Sequence, residues 1–269
     1  MQLKTVLKGV GILALGLALT ACGSSSAGST PEAIKEKGKL VVATSPDYAP
    51  FEFQTLIDGK NQVVGADISL AQDIADELGV ELEVSTMSFD NVLTSVAGGK
   101  ADLALAGLSK TPEREEVVTF SDSYYENGRV LLVRAEDKES LKDLESFKGK
   151  KVAAQKGTLE EQLAKEQVAS AELVSLQAMG EAINELVAGK VDAVAIDEAV
   201  ALGYVSQNNK LAISEAALKT QETVGTAVAM QKDNKELQEV VNKVIAKVKK
   251  DGSYDKYLEE ASKYTVVEE

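Results

Sequence analysis

From Lys39 onward, apolar runs of strand length alternate with segments whose apolar residues recur at helical spacing. Lys39 to Thr44 reads as a strand. Ile68, Ala71, Ile74, Ala75 and Leu78 mark a helix that stops at Gly79, and Glu81 to Val84 alternates as the next strand. Phe89 through Val96 marks a second helix closed by Gly98-Gly99, and Ala101 to Leu105 a third strand. A βαβαβ run of this kind implies a parallel sheet with helices on its faces, since parallel neighbours need a crossover. The second half repeats the plan, with strands expected at Gly128–Val133, Lys151–Ala154, Glu172–Leu176 and Val191–Ile196. Helices are expected after Gly157, around Ile183 to Val187, and from Glu198 to Gln207. A short strand at Leu211–Ile213, an extended run at Thr223–Met230 and two helices, Lys235–Lys249 and Tyr254–Tyr264, close the chain.

The halves echo one another. Val96-Ala97-Gly98-Gly99-Lys100-Ala101-Asp102-Leu103-Ala104 matches Leu186-Val187-Ala188-Gly189-Lys190-Val191-Asp192-Ala193-Val194 in type and spacing. Superposing the two places Asp197 where Gly107 sits in the first unit. Both then lie at the carboxyl ends of strands, the edge where open α/β sheets bind ligands.

The stretch Ala106-Gly107-Leu108-Ser109-Lys110-Thr111-Pro112-Glu113-Arg114 follows the third strand. Thr111-Pro112-Glu113 reads as a helix start, with a hydroxyl N-cap and Pro at the first position. A strand that breaks at Gly107 and enters a helix leaves N–H groups free for an anion. Arg114 adds a planar fork that can hold a carboxylate with two bonds. The alternative is a surface arginine paired with Glu115 or Glu116. If the two units face each other, a cluster of Gly107, Ser109 and Arg114 lies opposite the lone carboxylate of Asp197. A small zwitterion fits between, with Tyr48, Phe51, Phe53 and Phe89 as an aromatic wall. Asp197, standing before a helix, also suits a plain N-cap, and Phe53 and Phe89 also suit a core.

The chain opens on an address. Lys4 and Lys8 precede an apolar run from Val10 to Leu19, too short to span a bilayer as a permanent helix. Leu19-Thr20-Ala21-Cys22 resembles the lipobox of bacterial lipoproteins, in which the cut falls before a Cys that carries lipid. A plain signal peptide with an incidental Cys is the alternative. Cys22 is the only cysteine, so no disulfide framework exists. Gly23 to Thr30 is small and polar, as in a flexible tether. The formal net charge of −14 argues against nucleic acid and against an electrostatically held anionic membrane. Histidine is absent, which removes the usual general base and the commonest zinc ligand.

Several motifs, in order, carry a family resemblance: Tyr48-Ala49-Pro50-Phe51-Glu52, Gly65-Ala66-Asp67-Ile68-Ser69-Leu70-Ala71, the stretch ending at Arg114, and Phe120-Ser121-Asp122-Ser123-Tyr124-Tyr125. Lys148-Gly149-Lys150-Lys151-Val152, Asp192-Ala193 with Asp197, and Asp251-Gly252-Ser253-Tyr254-Asp255-Lys256 follow. The chain resembles type II periplasmic-type solute-binding proteins of the polar amino-acid ABC transporter family. The resemblance implies a two-lobed α/β fold, each lobe a mainly parallel sheet flanked by helices, with two crossover strands as hinge. It implies a signal peptide over 1–21, lipidated Cys22 and tether over 22–34, lobe one over 35–127 plus 226–269, and lobe two over 128–225. Arg114 would grip an α-carboxylate, aided by Gly107, Ser109 and Thr158. Asp197 would take the α-ammonium, and Tyr48 and Phe89 would sandwich the ligand side chain. Leu159 stands where some members carry a second hydroxyl, and Ser45 where some binders of basic amino acids carry an acid. Glu52 or Gln155 then stand as side-chain partners, and the expected ligand is a polar or basic amino acid.

The function implied is capture of that amino acid in the cleft and delivery to a membrane permease, by a monomer without metal, cofactor or catalysis. Its place is outside the cytoplasm, lipid-anchored through palmitate on Cys22, at a Gram-positive surface or a periplasmic face. A dehydratase-like enzyme on the same fold, or a surface sensor or interaction lipoprotein, are the rivals.

Overall fold

The structure is a computed structural model describing residues 29–126, 128–220 and 224–264. The leader, Cys22 and most of the tether lie outside these residues, as do Asn127 and residues 221–223 near the lobe boundaries. The described chain begins with α1 (Pro31–Lys37), β1 (Lys39–Thr44), β2 (Asp47–Tyr48), β3 (Glu52–Ile57), β4 (Lys60–Val64), α2 (Ala66–Leu78) and β5 (Glu81–Thr86). It continues through α3 (Phe89–Ala97), β6 (Leu103–Ala104), α4 (Pro112–Glu115) and β7 (Val118–Tyr125). The second lobe holds β8 (Arg129–Arg134), β9 (Lys151–Gln155), α5 (Leu159–Gln167), β10 (Glu172–Leu176), α6 (Met179–Val187), β11 (Ala193–Asp197), α7 (Glu198–Gln207) and β12 (Leu211–Leu218). The chain returns to the first lobe with β13 (Thr226–Gln231), α8 (Lys235–Asp251) and α9 (Ser253–Ala261).

Two five-stranded sheets share one plan, β5-β1-β6-β13-β7 and β10-β9-β11-β8-β12. In each, the first three strands run parallel, and the last two pair antiparallel. Each sheet is thus mixed but mainly parallel, as expected, with only its fourth strand reversed. The reason is the double crossing: the fourth strand of each sheet arrives directly from the other lobe, and the fifth leaves for it. β2, β3 and β4 form a separate small antiparallel sheet.

The helices obey their local signals. In α2, Leu70, Ala71, Ile74, Ala75 and Leu78 are buried on one face, and Gly79 ends the helix at φ +73°. In α8, Leu237, Val241, Val244, Ile245 and Val248 pack inward while Asn234 caps the start. Each fully buried Leu, Ile or Val among them contributes roughly 1.5–3 kcal/mol relative to exposure. The tether expected to reach residue 34 ends earlier. Thr30 caps α1, Pro31 is its first residue, and Ile34 is buried in the core. Among the described residues no helix is long and apolar enough to cross a membrane.

The parallel strands place the site. β1, β6, β9 and β11 all end toward the same cleft, and the segments leaving β6, β9 and β11 supply most of its wall. The two echo motifs are α3–β6 and α6–β11, which occupy equivalent places in the two sheets.

Candidate functional site

One cavity between the lobes is lined by Tyr48, Phe89, Ala106, Gly107, Ser109 and Arg114 from lobe one, and by Gln155, Thr158, Leu159, Glu160 and Asp197 from lobe two. It is nearly shut, with a cavity volume of about 10 Å³. Seven of the eight residues expected from sequence to bind ligand, all but Glu52, thus share one wall. A larger groove where α6 and α7 meet Ala49 and Pro50 carries no charged side chain, so it offers nothing to a zwitterion.

Arg114 emerges from the single turn α4, where Thr111 accepts from its amide. Its guanidinium does not pair with Glu115, which meets Lys110 instead. Nη1 donates to the Ser109 carbonyl at 2.8 Å, and Nη2 reaches across to the Gly157 carbonyl at 3.0 Å. The guanidinium carbon lies 5.6 Å from the Phe89 ring centre, a cation–π contact. Burial pulls the Arg114 pKa down from its ordinary value, and the nearby Glu160 charge opposes that pull.

Asp197 ends β11 at the N-cap position of α7 yet makes no capping bond. Its carboxylate turns into the cavity. Arg129 Nε lies 3.6 Å from Oδ1, beyond a hydrogen bond, and that oxygen is buried with no hydrogen-bond donor. A buried, unfilled acceptor is costly and points to a donor yet to come. Burial first, then the Glu160 charge, push this carboxyl well above the usual range, while Arg129 lowers it. The Tyr48 hydroxyl accepts from the Asp197 amide at 3.2 Å.

Ser109 and Thr158 act mainly on their neighbours. The Ser109 hydroxyl accepts from Arg129 Nη2 at 2.9 Å. Thr158 caps α5 and donates to the Gln155 carbonyl at 2.7 Å. Gly107 corrects the expectation of a free amide. Its N–H donates at 3.0 Å to Asp67, which also accepts from Tyr124 and Tyr254. With that amide taken and α4 only one turn long, Arg114 is the cation that lobe one brings to the cavity. Gly107 is needed for another reason: φ is +58°, and a Cβ there would lie 3.2 Å from a Tyr48 ring carbon.

Glu52 is the expected site residue that the structure places elsewhere. It is fully buried behind Gly107, and neither carboxylate oxygen meets an N–H or O–H donor. Burial, then the Asp67 and Asp47 charges, push its pKa well up, which favours the protonated form. Burial also raises Asp67, against the lowering effect of the bonds from Gly107, Tyr254 and Tyr124.

Two residues escaped the sequence reading. Arg129 begins β8 with its side chain buried, and its Nε lies 3.3 Å from Glu160. Glu160, in the first turn of α5, faces the cavity instead of solvent. An arginine heading the apolar strand Arg-Val-Leu-Leu-Val was the available signal, since a buried cation needs acids around it. Among the described residues no group of three or more acids or cysteines is placed to hold a metal.

Twin sheets joined by two crossings, with a cation and an acid facing one cavity, are the architecture of a two-lobed receptor for a small solute. The chain matches the model of the bacterial extracellular solute-binding proteins, family 3, over residues 40–262. It is 35% identical over 242 residues to the arginine-binding extracellular protein ArtP of Bacillus subtilis (strain 168), covering 89% of this chain and 90% of that one. It is similar to the crystal structure of an amino acid ABC transporter substrate-binding protein from Streptococcus pneumoniae Canada MDR_19A bound to L-arginine. That match has a TM-score of 0.87 and 59% identity, over 88% of this chain and 99% of the other. A second such protein, from the same source and also bound to L-arginine, gives 0.85 and 51%, over 88% of this chain and 100% of that one. The chain belongs to the bacterial extracellular solute-binding protein family 3, and it is a binding protein, not an enzyme.

Proposed function

We propose that the solute is L-arginine, held with its α-carboxylate on Arg114 and its α-ammonium on Asp197. The protein is the solute-binding component of an amino-acid ABC importer. The observation that carries the ligand reading is Asp197, a buried acid with an unfilled acceptor facing the same cavity as Arg114. Three considerations support arginine in particular. The compared proteins named above are arginine binders. Glu160, though shared with Arg129, gives the cavity wall a second buried acid for a solute with an extra positive charge. Tyr48 and Phe89 offer ring faces for a guanidinium. In this reading the solute binds one lobe, the lobes rotate about the two crossings, and the closed face docks on the permease. Cys22 carries the lipid that keeps the protein at the outer side of the membrane.

Thermal-shift screening against the twenty amino acids tests the ligand. L-arginine is expected to raise the melting temperature by simple linkage, and no shift with it overturns the reading. Mass spectrometry of the mature N-terminus tests the anchor: an unmodified residue 22, or cleavage elsewhere, refutes it.

A further inference from the structure

Asp47 lies on β2 of lobe one and is not part of the cavity wall, yet its carboxylate binds the opposite lobe twice. Oδ2 accepts from the Gln155 side-chain amide at 3.0 Å and from the Met179 backbone amide at 2.7 Å. Oδ1 is steadied from its own lobe by the Ser45 hydroxyl at 3.0 Å. Met179 is the first residue of α6, and the N-cap position before it is Ala178, which has no side-chain acceptor. The helix therefore takes an acceptor for its first amide from across the cleft. Gln155 is buried, lines the ligand cavity, and also donates to the Gln177 carbonyl at 3.2 Å. One carboxylate thus ties a cavity residue and a helix start to the other lobe. A nearby cross-lobe ion pair, Asp90 with Lys156 at 3.0 Å, involves a half-exposed lysine and is screened by solvent.

We propose that Asp47 is a positioning residue that latches the closed cleft, holding α6 and Gln155 in place and lengthening the stay of a solute it never touches. The proposal rests on the reading of the chain as an amino-acid receptor that closes on its ligand. Opening the cleft separates β2 from α6, so the bonds to Met179 and Gln155 exist only in the closed arrangement. Their loss acts on dissociation more than on association.

The test compares the wild type with Asp47→Ala, Asp47→Asn and the control Asp90→Ala, using L-arginine as probe. Stopped-flow tyrosine fluorescence gives both rates, and amide exchange reports on the first turn of α6 in the ligand-saturated protein. Asp47→Ala is expected to speed dissociation roughly tenfold and leave association within about twofold. Exchange should rise at Met179 and not in α5 or α7. Asp47→Asn, which keeps an oxygen but loses the charge, should fall between, and Asp90→Ala should match the wild type. Unchanged dissociation in a folded Asp47→Ala, or an equal effect from Asp90→Ala, overturns the latch. If the wild type binds no amino acid, the ligand reading fails separately. Exchange is then measured with the lobes tied by a bifunctional thiol reagent through Asp90→Cys and Lys156→Cys in a Cys22→Ser chain. Asp47→Ala must still expose Met179 there, and no change refutes the proposal.

Discussion

Arg114 of lobe one donates through Nη2 to the Gly157 carbonyl of lobe two at 3.0 Å, so the residue proposed to receive the solute carboxylate is itself a bridge across the cleft. Its other terminal nitrogen is fixed on the Ser109 carbonyl, which aims the fork before any ligand arrives. Arg114→Ala removes both the aim and the charge. Affinity for L-arginine is expected to fall by about 3 kcal/mol, more than a hundredfold, with the melting temperature of the ligand-free chain little changed. Arg114→Lys should rescue only a small part, since an ammonium cannot reproduce the fork. Calorimetric titration decides; retained affinity in Arg114→Ala removes this residue from the site.

Asp197 gives a pH prediction. Its carboxyl is held well above the usual range, chiefly by burial, then by Glu160. For an acid raised on folding, the folded state is favoured below the unfolded pKa and loses that advantage as pH climbs through the folded one. The ligand-free protein is therefore expected to gain stability as pH falls from about 7 toward about 4, more in the wild type than in Asp197→Asn. Ligand affinity runs the other way, because protonated Asp197 no longer pairs with an ammonium. Melting curves with and without L-arginine across that range give both slopes. A parallel slope in Asp197→Asn removes Asp197 as their source.

Asp67 and Glu52 form an acid pair with unequal roles. Asp67 accepts from Gly107, Tyr124 and Tyr254, whereas Glu52 receives no such donor. Asp67→Ala is expected to cost about 3 kcal/mol or more, since three buried donors lose their partner. It should also weaken ligand binding by freeing Gly107. Glu52→Gln replaces a neutral acid by a neutral amide of the same shape and should change stability by less than about 1 kcal/mol. Urea unfolding distinguishes them, and equal losses contradict the protonation assigned to Glu52.

Gly107→Ala is strained twice, by φ of +58° and by the Tyr48 ring at 3.2 Å. The expected loss of stability is about 1–2 kcal/mol. Tyr48→Phe keeps the ring but removes the hydroxyl that meets the Asp197 amide, so it should reduce affinity less than Asp197→Asn does. Affinity measured for the three variants ranks these effects; no loss in Gly107→Ala shows that Tyr48 can move aside freely.

The alternation of elements, the glycine that ends α2 and the cap of α4 were legible because they depend on neighbours in the chain. The echo between residues 96–104 and 186–194 was legible for the same reason, and Gly107 and Asp197, which it matched, line one cavity. What stayed hidden depends on distant partners. The Gly107 amide looks free until Asp67 is brought beneath it. Glu160 looks like a first-turn acid answering the dipole of α5, and only the opposite lobe shows it lining a cavity. Arg129 heads an apolar strand, and its acids come from elsewhere in the lobe. Glu52 carried a family motif but faces inward under Gly107. The reversed fourth strand of each sheet was not legible, because it enters from the far side of a crossing.

β13 sits between β6 and β7, although the chain reaches it only after the whole second lobe. A nascent chain can therefore complete its later-made half while the earlier one still has an open seam. The seam closes only when about the last sixth of the polypeptide has emerged, so a receptor of this layout is assembled late. A chain cut after Gly225 should keep the second sheet and never acquire a binding cleft.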